Sequence, residues 1–579
     1  MEKTAAEIVK SYLYRHKRTW VYGVFTIAIT TVFTMAAPWI LKNAVDELEK
    51  GVTSKGLILY AVAIVVVTII QGIFRFLMRQ TMIVASRNIE YEIRGDLFKH
   101  ILTLDRPYFD KTPTGDIMAR MTNDLLAVRA MVGPGIMYFF QTSFTFAIAI
   151  TLMSIINVKL TLISLIPLPV ISALTYFVGK EVHKRYSNIQ EQYSTITSNV
   201  QENLAGIRVV KAYVQEANTI RRFEGLNKDY IKKNMAMIKV WGMFFPVIFG
   251  FSSLAIALVL WIGGTQVIDG VITLGDLVAF TSYLVLLMWP MAALGWVIGL
   301  YQRGMASMKR IAMIFNSSPV IKISEMKKHS KEIKGKIEFR DLRFAYNGSD
   351  VVSGINLSIE PGQTVAIVGH TGSGKSTLVS LIPRLYPLPS GMLLVDDVDV
   401  NEYDLESLRS QIGYVAQESI LFSQTIQDNI AFGNRVVEKS IKESAAIAGI
   451  SGDIESFPLG YETMLGERGI TLSGGQKQRT ALARALAIQP KILILDDVFS
   501  SVDTSTEEQI LQNLRQVFSS CTTLIISHRV STVKNSDLIV VLKNGSIAER
   551  GTHNELLEQN GLYARLHQQQ LLKQELEAL

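Results

Sequence analysis

Six stretches within the first 301 residues carry no charge: 19–41, 56–74, 133–156, 160–179, 241–268 and 277–301. No run of this kind recurs further along the chain. Each is near or above the roughly 20 apolar residues with which a helix crosses a bilayer. They predict six membrane spans, at about 19–41, 56–78, 133–156, 160–179, 241–268 and 277–301. Buried core helices of a large soluble protein are the competing explanation, and six such runs in so short a length argue against it. Residues 5–18 read as an amphipathic elbow helix on the inner leaflet. Glu2, Glu7 and the cluster Arg15, Lys17, Arg18 precede the first run, and no small-residue cleavage site closes it. That is not the pattern of a cleaved signal, and the basic cluster places the N-terminus in the cytoplasm.

The connections alternate in character. Those at 42–55, 157–159 and 269–276 are short and nearly free of Arg. Those at 75–132 and 180–240 are long and basic, with Arg75, Arg79, Arg87, Arg94, Arg106 and Arg120 in the first and Lys184, Arg185, Arg208, Arg221 and Arg222 in the second. The long ones therefore face the cytoplasm. Their helical periodicity predicts extensions reaching roughly 35–40 Å beyond the bilayer at 1.5 Å per residue. Only FDKTPTGD (109–116) and NLAGIR (203–208) break the pattern, as short turns at the far tips. A transmembrane domain is thus expected over 1–315, a polar linker over 316–336, and an α/β domain of short β-rich and helical runs over 337–579.

Composition narrows the class. Charged residues make up 19% of the 579 positions and hydrophobic ones 49%. Soluble domains carry about 25% charged residues, so a disordered or fibrous chain is excluded. The one cysteine, Cys521, rules out a disulfide framework and a multi-cysteine zinc site, and reads as a small buried hydrophobe. Net charge is +7, and the basic excess sits where it sets membrane topology rather than in a nucleic-acid patch.

The second half carries the chemistry. A β-branched run, Thr364 to Val368, leads into Gly369, Thr371, Gly372, Ser373, Gly374, Lys375, Ser376 and Thr377, and a helical run follows. This is the strand–loop–helix context of G-x-x-x-x-G-K-[ST]. Backbone N–H groups and the helix N-terminus cradle phosphates, Lys375 reaches the β/γ-phosphates and Ser376 ligates Mg²⁺. A second buried run, Ile492 to Leu495, ends in Asp496 and Asp497. Asp496 suits water-mediated Mg²⁺ binding, and Asp497 sits where a general base polarises the attacking water. Asp396-Asp397 also follows an apolar run, but reads as an acidic turn between strands. Third, LSGGQ at 472–476 opens a strongly helical stretch, a second anion site at a helix N-terminus. Spacing alone does not say why one domain should carry two.

With these motifs in place the whole chain resembles an ATP-binding-cassette (ABC) half-transporter of the exporter type. The resemblance implies an all-α membrane domain of six transmembrane helices with long cytoplasmic extensions, fused to a P-loop α/β nucleotide-binding domain. LSGGQ is the family's signature. In the family two cassettes close head to tail, so Ser473, Gly474, Gly475 and Gln476 would cap ATP held by a partner. Tyr346 matches the aromatic that stacks on adenine. Gln417 matches the Q-loop, a Mg²⁺ ligand that senses the membrane domain. Gly466-Glu467-Arg468 resembles the loop before the signature, Ser501 and Asp503 the D-loop, and His528 the switch histidine at the γ-phosphate. The breaks near 109–116 and 203–208 resemble the coupling helices.

One position departs from the pattern. The family usually has Glu where this chain has Asp497. Asp withdraws its carboxylate by roughly 1–1.5 Å, and a 1 Å misplacement can cost about 10²-fold. In the family such a change accompanies heterodimers with one competent site. The resemblance therefore implies a second half-transporter as partner, ATP and Mg²⁺ as cofactors, and a weak own site. Alternatives are a homodimer using Asp497 as base, or a nucleotide-gated regulatory subunit with little turnover. For substrate, Phe244, Phe245, Trp289 and Trp296 are the cavity candidates, packing or lipid-facing roles being the bland alternative for each. No span carries a central charge, which favours amphipathic drugs or lipids over ions or sugar phosphates.

Overall fold

The computed structural model describes residues 3–51, 53–321, 332–346, 348–433, 438–466, 469 and 471–578. The side chains at 168, 171, 172, 175, 176, 183, 244, 245, 248, 292 and 573–578 lie outside that description. The chain divides into two units, Met1–Thr103 with Thr112–Ser318, and Leu104–Lys111 with Pro319–Leu579.

The first unit is helical. Among the described residues five helices are long and apolar enough to cross a membrane: Lys17–Glu49, Ser54–Thr103, Thr114–Ile156, Phe249–Ile268 and Leu274–Asn316. The expected fourth run, 160–179, falls on the helices Val158–Leu165 and Pro167–Ala205. The elbow is shorter than the 5–18 expected from sequence. It spans Ala5–Arg15, opened by a Thr4–Glu7 capping box. His16 leaves helical geometry at φ −103°, and Lys17 already begins the first long helix. The bend is pinned, with His16 Nε2 2.8 Å from Glu92 and the Tyr12 hydroxyl donating to Asp96 at 2.8 Å.

Several polar side chains inside these apolar helices are satisfied by the helices themselves. Thr30 Oγ1 donates to the Thr26 carbonyl and Thr31 Oγ1 to that of Ile27. Gln71 Nε2 reaches across to Thr34 Oγ1 at 2.8 Å. Pro38 removes a backbone donor within Lys17–Glu49. Close by, the buried Tyr283 hydroxyl donates to the Met35 carbonyl. Ser54–Thr103 has 50 residues, about 75 Å at 1.5 Å per residue. Beyond membrane thickness it buries charge in pairs. Glu90 is 5% exposed and meets Arg87, Arg94 and Arg129. Asp124 accepts from Ser307 and Arg310. The turns predicted at 109–116 and 203–208 fall at Thr112–Pro113 and Gly206, each next to a short helix, Arg106–Lys111 and Ile207–Ala212. The first of these helices belongs to the second unit.

That second unit holds two sheets. Strands β1 (Ile337–Tyr346), β2 (Ser349–Ile359), β4 (Leu393–Val395) and β5 (Val398–Asp399) form an antiparallel sheet in the order β2-β1-β4-β5. Strands β3 (Thr364–Gly369), β6 (Ile412–Val415), β7 (Ile492–Asp496), β8 (Thr522–Ile526), β9 (Leu538–Lys543) and β10 (Ser546–Gly551) form the other. Its order is β10-β9-β3-β8-β7-β6, parallel except at β9–β10. A parallel sheet is covered on both faces, so its strands are continuously apolar. In β7, Ile492 and Ile494 enter one core while Leu493 and Leu495 enter the other. Cys521 is buried in the latter. Asp396 and Asp397 form the turn between β4 and β5, both at positive φ (48° and 63°). The Asp396 carboxylate accepts the backbone N–H groups of Lys334, Gly335 and Lys336.

Candidate functional site

In a parallel sheet the carboxyl ends of adjacent strands converge, and ligands bind just beyond them. Here β3, β8 and β7 are neighbours, so the residues that follow each strand meet. A cavity of about 210 Å³ lies there. Thr371, Gly372, Gly374, Lys375, Ser376, Thr377, Gln417, Asp496, Asp497 and His528 line it, together with Val351 and Ile526. The register explains the meeting. Asp496 pairs with Ile526 across β7–β8, and the Asp497 N–H donates to the Ile526 carbonyl.

The loop after β3 is shaped by glycines. Gly374 has φ 96°, and a Cβ there would stand 2.9 Å from the Val351 carbonyl oxygen. At Gly369 a Cβ would stand 2.4 Å from the Leu542 carbonyl oxygen. The loop can therefore lie directly on β2 and β9. Lys375 Nζ donates to the carbonyls of Gly369 and His370, each at 2.9 Å. Ser376 Oγ donates to Asp496 Oδ1 at 3.0 Å. The Ser373 hydroxyl is buried with no hydrogen-bond partner among the described residues, an uncommon state for a buried polar atom.

The electrostatics follow from burial. It pushes Lys375 below the usual lysine range, against the pull of Asp496 and Asp497. It pushes Asp496 above the usual carboxylate range, with Asp497 adding to the shift and Ser376 and Lys375 opposing it. His528 is lowered by burial first and by Lys375 next. A polyanion entering such a place is met by a lysine, a helix N-terminus and exposed backbone N–H groups. Among the described residues no cluster of His, Cys, Asp and Glu could hold a metal by itself. Ser376, Gln417 and Asp496 offer only oxygen, the donor type that suits Mg²⁺ shared with phosphates. The donor set fits the ion.

Tyr346 lies beside this cavity, at the end of β1. Its hydroxyl is 3.4 Å from Thr377 Oγ1, and its ring meets those of Phe344 and Tyr386 edge to face.

The signature residues do not line the cavity. Ser473 caps the helix Gly474–Ala487 in a capping box with Gln476. A Cβ on Gly475 would stand 2.8 Å from the Ser501 carbonyl oxygen, so the glycine lets these two segments touch. Asp503 caps the helix Thr504–Phe518. Its carboxyl is held down at about 2 by the Thr506 N–H and the Ser505 hydroxyl. Glu467 and Arg468 lie outside the described residues.

Three residues that motif reading passed over tie the site together. Gln478 donates to Ser500 Oγ at 2.9 Å and accepts from the Ser501 N–H at 3.1 Å, joining the signature helix to the segment after Asp497. Glu507, 1% exposed, accepts from Arg529 at 2.5 Å and from Thr532. Arg529 also donates to the Val502 carbonyl. Tyr386 is the third. No local pattern marked any of the three in the sequence.

The membrane candidates are dispersed. Trp296 packs edge to face on Tyr138 at 5.2 Å, and Trp289 is 72% exposed. Neither lines either of two apolar cavities in the membrane unit, of about 590 and 760 Å³, among the described residues. The side chains of Phe244 and Phe245 lie outside the described residues.

Comparison with known proteins meets this geometry. Residues 20–291 match the family described as ABC transporter transmembrane region, and residues 352–500 the one described as ABC transporter. A probable multidrug resistance ABC transporter ATP-binding/permease protein of Bacillus subtilis, YheI, is 38% identical over 95% of each chain. An ATP-dependent lipid A-core flippase of Syntrophus aciditrophicus is 33% identical over 96% of this chain and 92% of the relative. The solved structure of a bacterial Atm1-family ABC exporter with ATP bound superposes with a TM-score of 0.80 at 26% identity, covering 96% of this chain and 99% of that one.

Proposed function

The chain belongs to the ABC transporter family, membrane region and ATP-binding cassette in one polypeptide, and from that premise we propose that it exports amphipathic drugs or lipids as one half of a heterodimer with one slow ATP site. It is a multi-pass inner-membrane protein whose cytoplasmic ATPase domain drives transport. ABC exporters act as dimers in the bilayer, and two relatives of this chain are named for multidrug resistance and for flipping lipid A-core. Those names support an amphipathic cargo, as does the absence of charge from the six apolar runs.

The roles follow from the residues. Gly369, Thr371, Gly372, Ser373, Gly374 and Thr377 shape the phosphate cradle. Lys375 gives up its two carbonyl partners to reach the β/γ-phosphates. Tyr346 stacks on adenine. Ser376, Gln417 and Asp496 would hold Mg²⁺, which would supply charge neutralisation at the phosphates. Asp497 orients the attacking water and His528 donates to the γ-phosphate. Ser473, Gly474, Gly475 and Gln476, with Ser501 and Asp503, act on ATP held by the partner. Closure of two cassettes on ATP turns the cavity outward, because ATP binds the closed pair better than the open one.

Asp497 carries the slow-site reading. It stands where the family has the longer Glu, beside an intact signature. A homodimer using Asp497 as its base is favoured by one observation, that Asp497 lines the same cavity as Lys375 and His528. ATPase activity of the chain purified alone in nanodiscs, beside Asp497→Glu and Asp497→Asn, separates the two. A nearly inert natural chain that Asp497→Glu restores supports the heterodimer. Brisk turnover lost in Asp497→Asn overturns it in favour of the homodimer.

A further inference from the structure

Tyr386 lies outside every motif, yet it stands between the candidate adenine platform and a segment that the chain contributes from far away in sequence. Its ring meets Tyr346 edge to face, centroids 5.2 Å apart, and Phe344 at 5.5 Å. Its hydroxyl donates to Asp110 Oδ2 at 2.8 Å. Asp110 belongs to Leu104–Lys111, the piece of the membrane half that forms one unit with the cassette. In that piece Arg106 Nε donates to Asp110 Oδ1 at 2.9 Å. Asp105 Oδ2 accepts the N–H groups of Val320 and Ile321, where the chain enters the cassette.

The chemistry of this chain of contacts is directional. An O–H donated to a carboxylate is among the stronger hydrogen bonds, and it fixes where the ring can lie. An edge-to-face pair transmits ring orientation, since its attraction depends on angle. A base stacked on Tyr346 would restrict that ring, and Tyr386 and Asp110 with it. Phosphates alone in the loop after β3 would reach these residues only through Thr377, whose Oγ1 makes a long 3.4 Å contact with the Tyr346 hydroxyl.

We propose that Tyr386 is a positioning residue that reports occupancy of the adenine site, through Asp110, to the short helix Arg106–Lys111. The proposal rests on the reading of Tyr346 as the adenine platform. It separates two signals, base occupancy carried by Tyr346–Tyr386–Asp110 and phosphate occupancy carried by the loop after β3.

The test is hydrogen exchange of the amides of 104–111 in the full chain in nanodiscs, with Mg·ATP or inorganic tripolyphosphate as probes. In the natural chain ATP is expected to slow exchange of this segment severalfold, and tripolyphosphate, which has no base, to leave it unchanged. Tyr386→Phe removes one hydroxyl and keeps the ring. It should bind ATP within about twofold of the natural chain while losing the ATP-dependent slowing. Asp110→Ala should lose it too, which keeps the test alive if either variant folds poorly. Unchanged slowing in Tyr386→Phe, or equal slowing by tripolyphosphate, overturns the proposal. Failure of the underlying reading looks different, because then Tyr346→Ala binds ATP as tightly as the natural chain.

Discussion

Ser376 Oγ and Asp496 Oδ1 stand 3.0 Å apart, so the first helical turn after β3 and the last residue of β7 are joined across the intervening β8. The bond is local compensation for an expensive group. Asp496 is 3% exposed, and burial raises its carboxyl above the ordinary 3.8. A raised folded value means the folded state holds its proton longer than the unfolded one. The contribution to stability is then fullest below about 3.8 and is lost as pH rises through the folded value.

At neutral pH, Asp496→Asn should therefore stabilise the nucleotide-free protein. Removing the buried charge should raise the melting temperature of the cassette by about 2–4 °C per kcal/mol gained. The same variant should lose Mg²⁺-dependent ATPase activity. Thermal unfolding and ATPase assays on one preparation check both. A melting temperature that falls would show that the charge stabilises the empty site.

His528 behaves in the opposite sense. Burial and Lys375 hold it below 6.5, so the empty site carries it neutral at pH 7. The unfolded chain takes the proton first, hence the stability of neutral His528 is complete above about 6.5 and lost as pH falls through the lower folded value. A phosphate placed beside it reverses the shift. ATP binding near pH 6.5 should thus take up a fraction of a proton. Calorimetry in two buffers of different ionisation enthalpy should show this, and His528→Ala should abolish it.

A methyl group at Gly475 has nowhere to go, since it would stand 2.8 Å from the Ser501 carbonyl oxygen. Gly475→Ala should push the 500–503 segment away from the signature helix. ATP affinity at the chain's own site should stay within about twofold. Turnover at the site shared with the partner should fall on the order of 10²-fold, the usual cost of a 1 Å misplacement. Equal losses in affinity and turnover would count against this division of labour.

Glu507 is fully enclosed while Arg529 is 39% exposed. Glu507→Ala would leave Arg529 and Thr532 without their acceptor. Screening on the Arg529 side reduces the usual cost of breaking a buried pair, to about 2–3 kcal/mol. Glu507→Gln keeps an acceptor and should cost less. Urea unfolding of the two variants gives the order, and a larger loss in Gln than in Ala would refute it.

Much of the molecule was legible from local pattern. A membrane span must be apolar along its whole length, because backbone and side chains have no water to turn to. The loop 369–377 is contiguous, so its glycines and lysine announce themselves together. The acidic pair Asp396-Asp397 was readable as a turn for the same reason. Ends of elements were less legible. Lys17 and Arg18 look like part of the amphipathic elbow, yet they begin the first long helix because the bend falls at His16, where Glu92 holds the ring. The breaks expected at 109–116 and 203–208 fall at Thr112–Pro113 and Gly206, beside short helices, of which Arg106–Lys111 is tied down by side chains distant in sequence.

What the sequence determined by itself is therefore the class of protein and its reactive inventory: six apolar runs, a phosphate loop, a signature, and an Asp where a Glu is usual. These depend on periodicity and on neighbours within a few residues. Which side chains meet was decided only by tertiary structure. The order β3-β8-β7 puts His528 and Asp497 on the phosphate loop, and Gln478, Glu507 and Tyr386 each find partners 22 to 276 residues away. No local pattern carries that information, because strand order is set by which apolar faces can be buried together and the docking of Leu104–Lys111 by hydrogen bonds to residues distant in sequence, and only the whole fold brings those partners into contact.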